Sequence, residues 1–201
     1  MTCEKCRAAY NEVGDEQKQT AERMQDVDNG RPCPCEEHCM SDYSAGPVRD
    51  EETIHFLLTE PQALTQDGEI DPTIFMQMYR SGLSSLREGA SLREYELTMD
   101  ELIETSRAAK NEDRSLHSIL EFPAGSVRFN EDASRFLCVF DTATAEKPSH
   151  VDLMAQPKNA ESKTQMKKLQ RKSLKKLRDL LTQTADLSEL FDGNLQRYMK
   201  H

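Results

Sequence analysis

The chain has 201 residues, of which 36% are hydrophobic and 31% charged, with no tryptophan and a net charge of −10. That is room for one ordinary domain or two small ones around a modest core, since typical globular chains are about 45–50% apolar. No apolar run approaches the roughly 18 residues of a membrane span, and the acidic balance argues against a protein that coats nucleic acid over its whole surface.

The opening Met-Thr-Cys-Glu-Lys-Cys lacks the apolar stretch of a secretory signal. The expectation is a cytoplasmic chain, where six cysteines point to metal before disulfides. Composition divides the chain into a cysteine-rich, zinc-binding segment at 1–47, an α+β domain at 48–156 and a basic helical tail at 157–201. Ser44-Ala45-Gly46-Pro47 closes the first segment as a turn or linker.

Cys3-x-x-Cys6 is followed by Cys33-x-Cys35-x-x-His38-Cys39. Zinc takes four thiolate or imidazole ligands in a tetrahedron, and closely spaced pairs supply its corners. The preferred set is Cys3, Cys6, Cys35 and Cys39, with Cys33 and His38 as substitutes. A single straight helix over 7–27 would hold the two halves about 30 Å apart. Sharing one ion therefore requires a break, which Gly14-Asp15 offers, with a helix from about 15 to 27. Four protein ligands leave no open position, so the Zn2+ is expected to be structural.

In the middle segment, residues 53–58 read as a strand and Gln66-Asp67-Gly68 as a turn. Asp71-Pro72 has the form of a helix N-cap followed by proline, with Phe75, Met78 and Tyr79 at helical spacing and Gly82 as the stop. Thr98 and Glu101 have capping-box spacing, so a helix is expected from there to about Lys110. Residues 125–129 and 135–141 read as strands joined by a turn at Asn130-Glu131-Asp132. The second is apolar from Phe136 to Phe140, which predicts a central strand buried on both faces. A last strand is expected at 150–154. This order predicts an α+β fold: a small mixed or antiparallel sheet with helices, an N-terminal zinc knuckle and a C-terminal helical tail.

Catalytic candidates come from this segment. His55 lies on the first strand, His150 begins the last, and Asp141 ends the apolar one, so His55, Asp141, His150 and Asp152 could converge. Cys138, inside the apolar strand, is expected to be packed and inert. No Walker loop, dinucleotide fingerprint or nucleophile elbow is present. His55-Phe56-Leu57-Leu58 with Pro61, Gly68 and Phe75, then Gly82-Leu83-Ser84-Ser85-Leu86-Arg87, and later Pro148-Ser149-His150-Val151-Asp152, resemble a family of small uncharacterised bacterial proteins. These share a Leu-Ser-Val-x-Arg-like turn and an Asn-Pro-x-His-Ala-like motif. Here Ser85 stands for the valine, Lys147 for the asparagine and Val151 for the alanine. The resemblance covers about 53–155 and implies Ser84, Arg87 and His150 as site residues, without roles.

Residues 158–178 hold nine lysines and arginines against Glu161 alone, a net of +8 that leaves −18 on the remainder. Met166, Leu169, Ser173, Leu177 and Leu180 recur at helical steps, which predicts an amphipathic helix over 163–181. A second helix is expected from Asp186 through Leu190 and Phe191. Lys167, Lys168, Arg171, Lys172, Lys175 and Lys176 are the candidate partner- or phosphate-binding residues. The functional expectation is a non-enzymatic zinc-binding adaptor of a bacterial or phage-like cell, acting in a protein or nucleoprotein complex and not at a membrane. The alternative is an enzyme of unknown reaction centred on His55, Arg87 and His150.

Overall fold

A computed structural model describes residues 4–11, 20–26, 36, 41–61, 63–110, 113–130, 136–155, 163–181, 184–185 and 194–199. In chain order the elements are α1 (Glu4–Asn11), α2 (Thr20–Asp26), β1 (Thr53–Glu60), a 3-10 helix (Pro72–Tyr79), β2 (Leu83–Arg87), α3 (Leu92–Lys110) and β3 (Ser115–Pro123). Then come α4 (Ala124–Arg128), β4 (Leu137–Asp141), β5 (His150–Ala155), α5 (Lys163–Leu180) and a second 3-10 helix (Asn194–Tyr198). The strands form one sheet in the order β3-β1-β2-β5-β4, and each neighbouring pair is antiparallel. The architecture is mixed helix and sheet, as an α+β reading requires. The zinc knuckle is a separate matter, because its proposed ligands lie outside the described residues except Cys6.

Successive strand residues face opposite sides, so the register sorts side chains by face. Ile54, Leu58, Leu83, Val139, Val151 and Leu153 share one face, packed in one cluster with Phe75 and Met78 of the first 3-10 helix and Leu174, Leu177 and Leu181 of the tail. Each buried leucine of α5 is worth about 1.5–3 kcal/mol relative to exposure. The other face carries two separate clusters. Leu57, Leu86 and Ile119 pack under Tyr95 and Met99 of α3. Cys138, Phe140 and Met154 pack under Cys6, Ala21 and Met24 of α1 and α2. Between these two apolar clusters lies a polar seam.

Several local expectations change. Helix α3 begins six residues before Thr98, and its capping box is Ser91 with Glu94. The Glu94 Oε2 accepts from the Ser91 backbone N–H at 2.7 Å. Thr98 sits inside the helix, its hydroxyl donating to the Glu94 carbonyl at 2.8 Å. The strand expected over 125–129 is absent: Ala124–Arg128 form α4 instead. β4 is buried at every position but is an edge strand, not a central one. Both its faces are covered, and its backbone is met from the side: the Val139 N–H donates to Glu36 Oε2 at 3.0 Å. The Asp71 cap is as expected, accepting from the Thr73 N–H at 2.8 Å, but the turns that follow are 3-10. The helix expected over 186–191 lies outside the described residues.

Candidate active site in the polar seam

Strand parity separates the candidates. His55 pairs with Leu86, and Leu86 with His150, so both histidines lie on the face of the seam, one leucine apart. Two strand spacings put them about 10 Å from each other. Ser84, directly opposite Asp152, is on the same face. Arg87 and Asp141 point to the opposite face. The structure therefore does not bring His55, Arg87 and His150 together, nor Asp141 to Asp152.

Each of the separated residues has local work. Arg87 pairs with Asp141 at 3.1 Å and Glu52 at 3.2 Å and donates to the Gly46 carbonyl, tying the 46–52 segment to the sheet. His55 is buried, its Nδ1 hydrogen-bonded to the Tyr95 hydroxyl and its Nε2 4.0 Å from Glu121. Desolvation draws its pKa below the ordinary value, against the opposing pull of Glu121 and Glu88. Burial, then the charges of Glu94 and Glu88, pushes the Tyr95 phenol up.

Ser84 and His150 do meet. The Ser84 Oγ lies 2.6 Å from His150 Nε2, and His150 Nδ1 lies 2.8 Å from Thr142 Oγ1. The Tyr10 phenol donates to Asp152 Oδ2 at 2.9 Å. A carboxylate only accepts, so Tyr10 spends its one proton on Asp152. The His150 tautomer sets the direction of the other two bonds: with the proton on Nδ1, that N–H donates to Thr142 and Nε2 accepts from the Ser84 hydroxyl. The pKa of Tyr10 is raised, by burial first and then by the charge and hydrogen bond of Asp152, with Thr142 opposing the rise.

The surroundings hold His150 firmly. Its backbone N–H donates to the Lys147 carbonyl at 3.1 Å, and its own carbonyl accepts from Thr142 N–H at 3.2 Å. Next to it, the Ser149 N–H donates to Glu94 Oε1 at 2.7 Å. Burial opposes ionisation of Glu94, but hydrogen bonds from Ser91 and Ser149 overcome it and hold that carboxyl below its usual range. Gly82 lets Asp152 approach: φ is +100°, and a Cβ there would stand 3.0 Å from Asp152 Oδ1.

Ser84 also faces open space. The β1–β2 ladder contains only Ile54↔Arg87 and His55↔Leu86. The Glu88 N–H donates to the Thr53 carbonyl, so the hydrogen-bonded pairs are the odd residues of β1. The next such pair, Leu57 and Ser84, lies beyond the ladder, and its backbone N–H and C=O groups face the opening where the strands splay. A cavity of about 430 Å³ fills that opening, lined by Leu57 and Ser84, by Ile74 and Met76 of the first 3-10 helix, by Glu101 and Leu102 of α3, and by Arg114. His150 stands behind Ser84, outside the lining. Nothing in the local sequence near Ser84 signals Tyr10, Thr142 or Arg114. Tyr10 comes from 142 residues before Asp152.

Of the zinc candidates, Cys3, Cys33, Cys35, His38 and Cys39 lie outside the described residues. Cys6 is fully buried beside Cys138, Phe140 and Met154. Among the described residues no group of three or more His, Cys, Asp or Glu side chains could hold a metal ion, and no helix is long and apolar enough to cross a membrane. On α5, Lys167, Lys168, Arg171, Lys172 and Lys175 are exposed. Lys176 is not part of that face: it donates to Asn130 Oδ1 at 2.6 Å and lies 4.4 Å over the Phe136 ring. Comparison with known proteins adds no assignment: no family model, curated protein or solved structure matches the chain.

Proposed function

We propose that the chain is an enzyme of nucleophilic acyl transfer, with Ser84 as nucleophile and His150 as its base. One observation carries this reading: Ser84 Oγ is 2.6 Å from His150 Nε2, and Ser84 is also among the residues that line a cavity large enough for a small substrate. A nucleophile, a base within reach and a third group orienting the base are the parts such chemistry needs. Thr142, hydrogen-bonded to His150 Nδ1, is the orienting group.

In the first half-reaction the Ser84 oxygen attacks an ester carbonyl carbon while His150 Nε2 takes the serine proton. The carbonyl oxygen becomes an oxyanion, for which the Leu57 and Ser84 backbone N–H groups at the splayed edge are candidate donors. Collapse breaks the bond to the alcohol oxygen, and His150 returns the proton to it. Water, deprotonated by the same nitrogen, then releases the acid and restores Ser84.

A fluorophosphonate probe tests this directly. Wild-type protein should become covalently labelled on Ser84, and Ser84→Ala and His150→Gln should lose the label while melting as wild type does. Absence of labelling, or labelling that survives Ser84→Ala, removes the proposal.

A second reading is supported by the tail. The five exposed cations of α5 fall within an arc of about 140° on one helix face, over about 12 Å, and none has a carboxylate partner among the described residues. That face suits an acidic protein or a phosphate backbone, the role of an adaptor in a protein or nucleoprotein complex. The two readings use different surfaces and can hold together.

A further inference from the structure

We propose that Arg114 is the anion-binding residue of the cavity, so that the acyl group it accepts carries its own carboxylate. The inference rests on the acyl-transfer reading of Ser84. Arg114 lines the same cavity and is half-buried. Its guanidinium donates to the Thr59 hydroxyl at 3.1 Å and has no ion pair among the described residues. Among the described lining residues Glu101 is the one carboxylate, and it is already matched by Lys147. Among those residues Arg114 is thus a positive charge without a matching carboxylate, and it has donors to spare, since a guanidinium offers five N–H groups in a fork that fits a carboxylate.

Register supplies the length. Thr59 lies two residues along β1 from Leu57, the residue that faces Ser84 across the opening. At about 3.3 Å per residue, the Arg114 anchor is offset roughly 7 Å along the strand and about 5 Å across it from the reacting centre, about 8–9 Å in all, which an acyl chain of about six bonds and the reach of the guanidinium span together. The wall between is apolar, from Leu57, Leu58 and Leu102. A linear acyl chain with a terminal carboxylate matches this order of charge, apolar wall and nucleophile.

A matched pair of esters tests it: the p-nitrophenyl monoester of adipic acid and p-nitrophenyl hexanoate. They share chain length and leaving group and differ in the terminal carboxylate. Wild type should turn over the adipate ester with kcat/KM at least about tenfold higher, as a charge-assisted hydrogen bond allows. In Arg114→Gln the ratio should fall to about one. A wild-type ratio near one, or a ratio that Arg114→Gln leaves unchanged, overturns the assignment. If neither ester is turned over in a Ser84-dependent way, the acyl-transfer reading fails separately. The anion site is then decided by adipate alone: it should raise the melting temperature of wild type and not of Arg114→Gln, and no rise overturns it.

Discussion

Gly82→Ala probes the contact on which the seam depends. Gly82 precedes β2 with φ at +100°, and an added Cβ would meet Asp152 at 3.0 Å to Oδ1 and 3.1 Å to both Cβ and Cγ. Two costs combine. A left-handed backbone costs an L residue roughly 1–2 kcal/mol. Pushing a methyl group against a packed buried side chain adds typically ~1–3 kcal/mol. Gly89 supplies the control, since its φ is +83° but nothing stands within 4 Å of its missing Cβ. Gly89→Ala should show only the backbone cost. The difference between the two variants in urea denaturation should then be about 1–3 kcal/mol, the Asp152 share. For a chain of this length each kcal/mol lowers the melting temperature by roughly 2–4 °C, so calorimetry resolves the difference as well. Displaced Asp152 also withdraws from Tyr10, so Gly82→Ala should slow fluorophosphonate labelling of Ser84 and Gly89→Ala should not. Equal losses of stability would refute the claim that Asp152 is held against this glycine.

Tyr10→Phe removes the donor to a buried carboxylate, which should cost about 1–3 kcal/mol and reduce Ser84 labelling; unchanged labelling would remove Tyr10 from the support of the site. His55 has a folded-state pKa below its ordinary 6.5, so the unfolded chain binds the extra proton first. Its contribution is full above pH 6.5 and is lost as pH falls through the folded value; melting temperature should drop on acidification from pH 7, and His55→Gln should flatten that slope. Reversing Lys168, Lys172 and Lys175 to Glu should leave melting unchanged, because these side chains are exposed. Binding to duplex DNA, with a log–log salt slope of about −0.9 per phosphate neutralised, should disappear; a triple variant that binds as before leaves the lysines as a solvated face. Elemental analysis of protein purified without added metal should find one zinc per chain, and a metal-free protein with its N-terminal segment folded would end the zinc expectation.

Elements whose pattern survives local detail were legible. β1 and β5 were placed within two residues, and the first 3-10 helix was found through the Asp71 cap and Pro72. β3 was not, and its register explains why. A bulge opposite Leu58 and Thr59 sets Leu116 and Ile119 on one face three residues apart, which breaks the alternation that identifies a strand. β2 is five residues with two serines, too short and polar to announce itself, although it pairs with β1 on one side and β5 on the other. β4 read as central because apolar residues fill both faces; burial on two faces does not require a strand on each side when a carboxylate such as Glu36 satisfies the outer edge.

The site residues follow the same logic. Ser84 enters through the resemblance and His150 is grouped with His55 and Arg87, but residue type alone does not say which face of its strand each side chain takes. A strand turns every second side chain away, so Arg87, three residues from Ser84, belongs to the other face and to the fastening of the 46–52 segment. His55 keeps the right face but has Leu86 between it and His150. What remains in the seam is selected by strand parity plus one side chain from α1. Tyr10 lies four residues from Cys6, and one turn of helix packs Cys6 among Cys138, Phe140 and Met154 while placing the phenol on Asp152. The apolar docking of the N-terminal helix and the hold on Asp152, which lies opposite Ser84, therefore belong to one rigid piece. Loosening α1 should disturb Ser84 through Asp152, and that dependence separates a supported site from an isolated serine–histidine hydrogen bond.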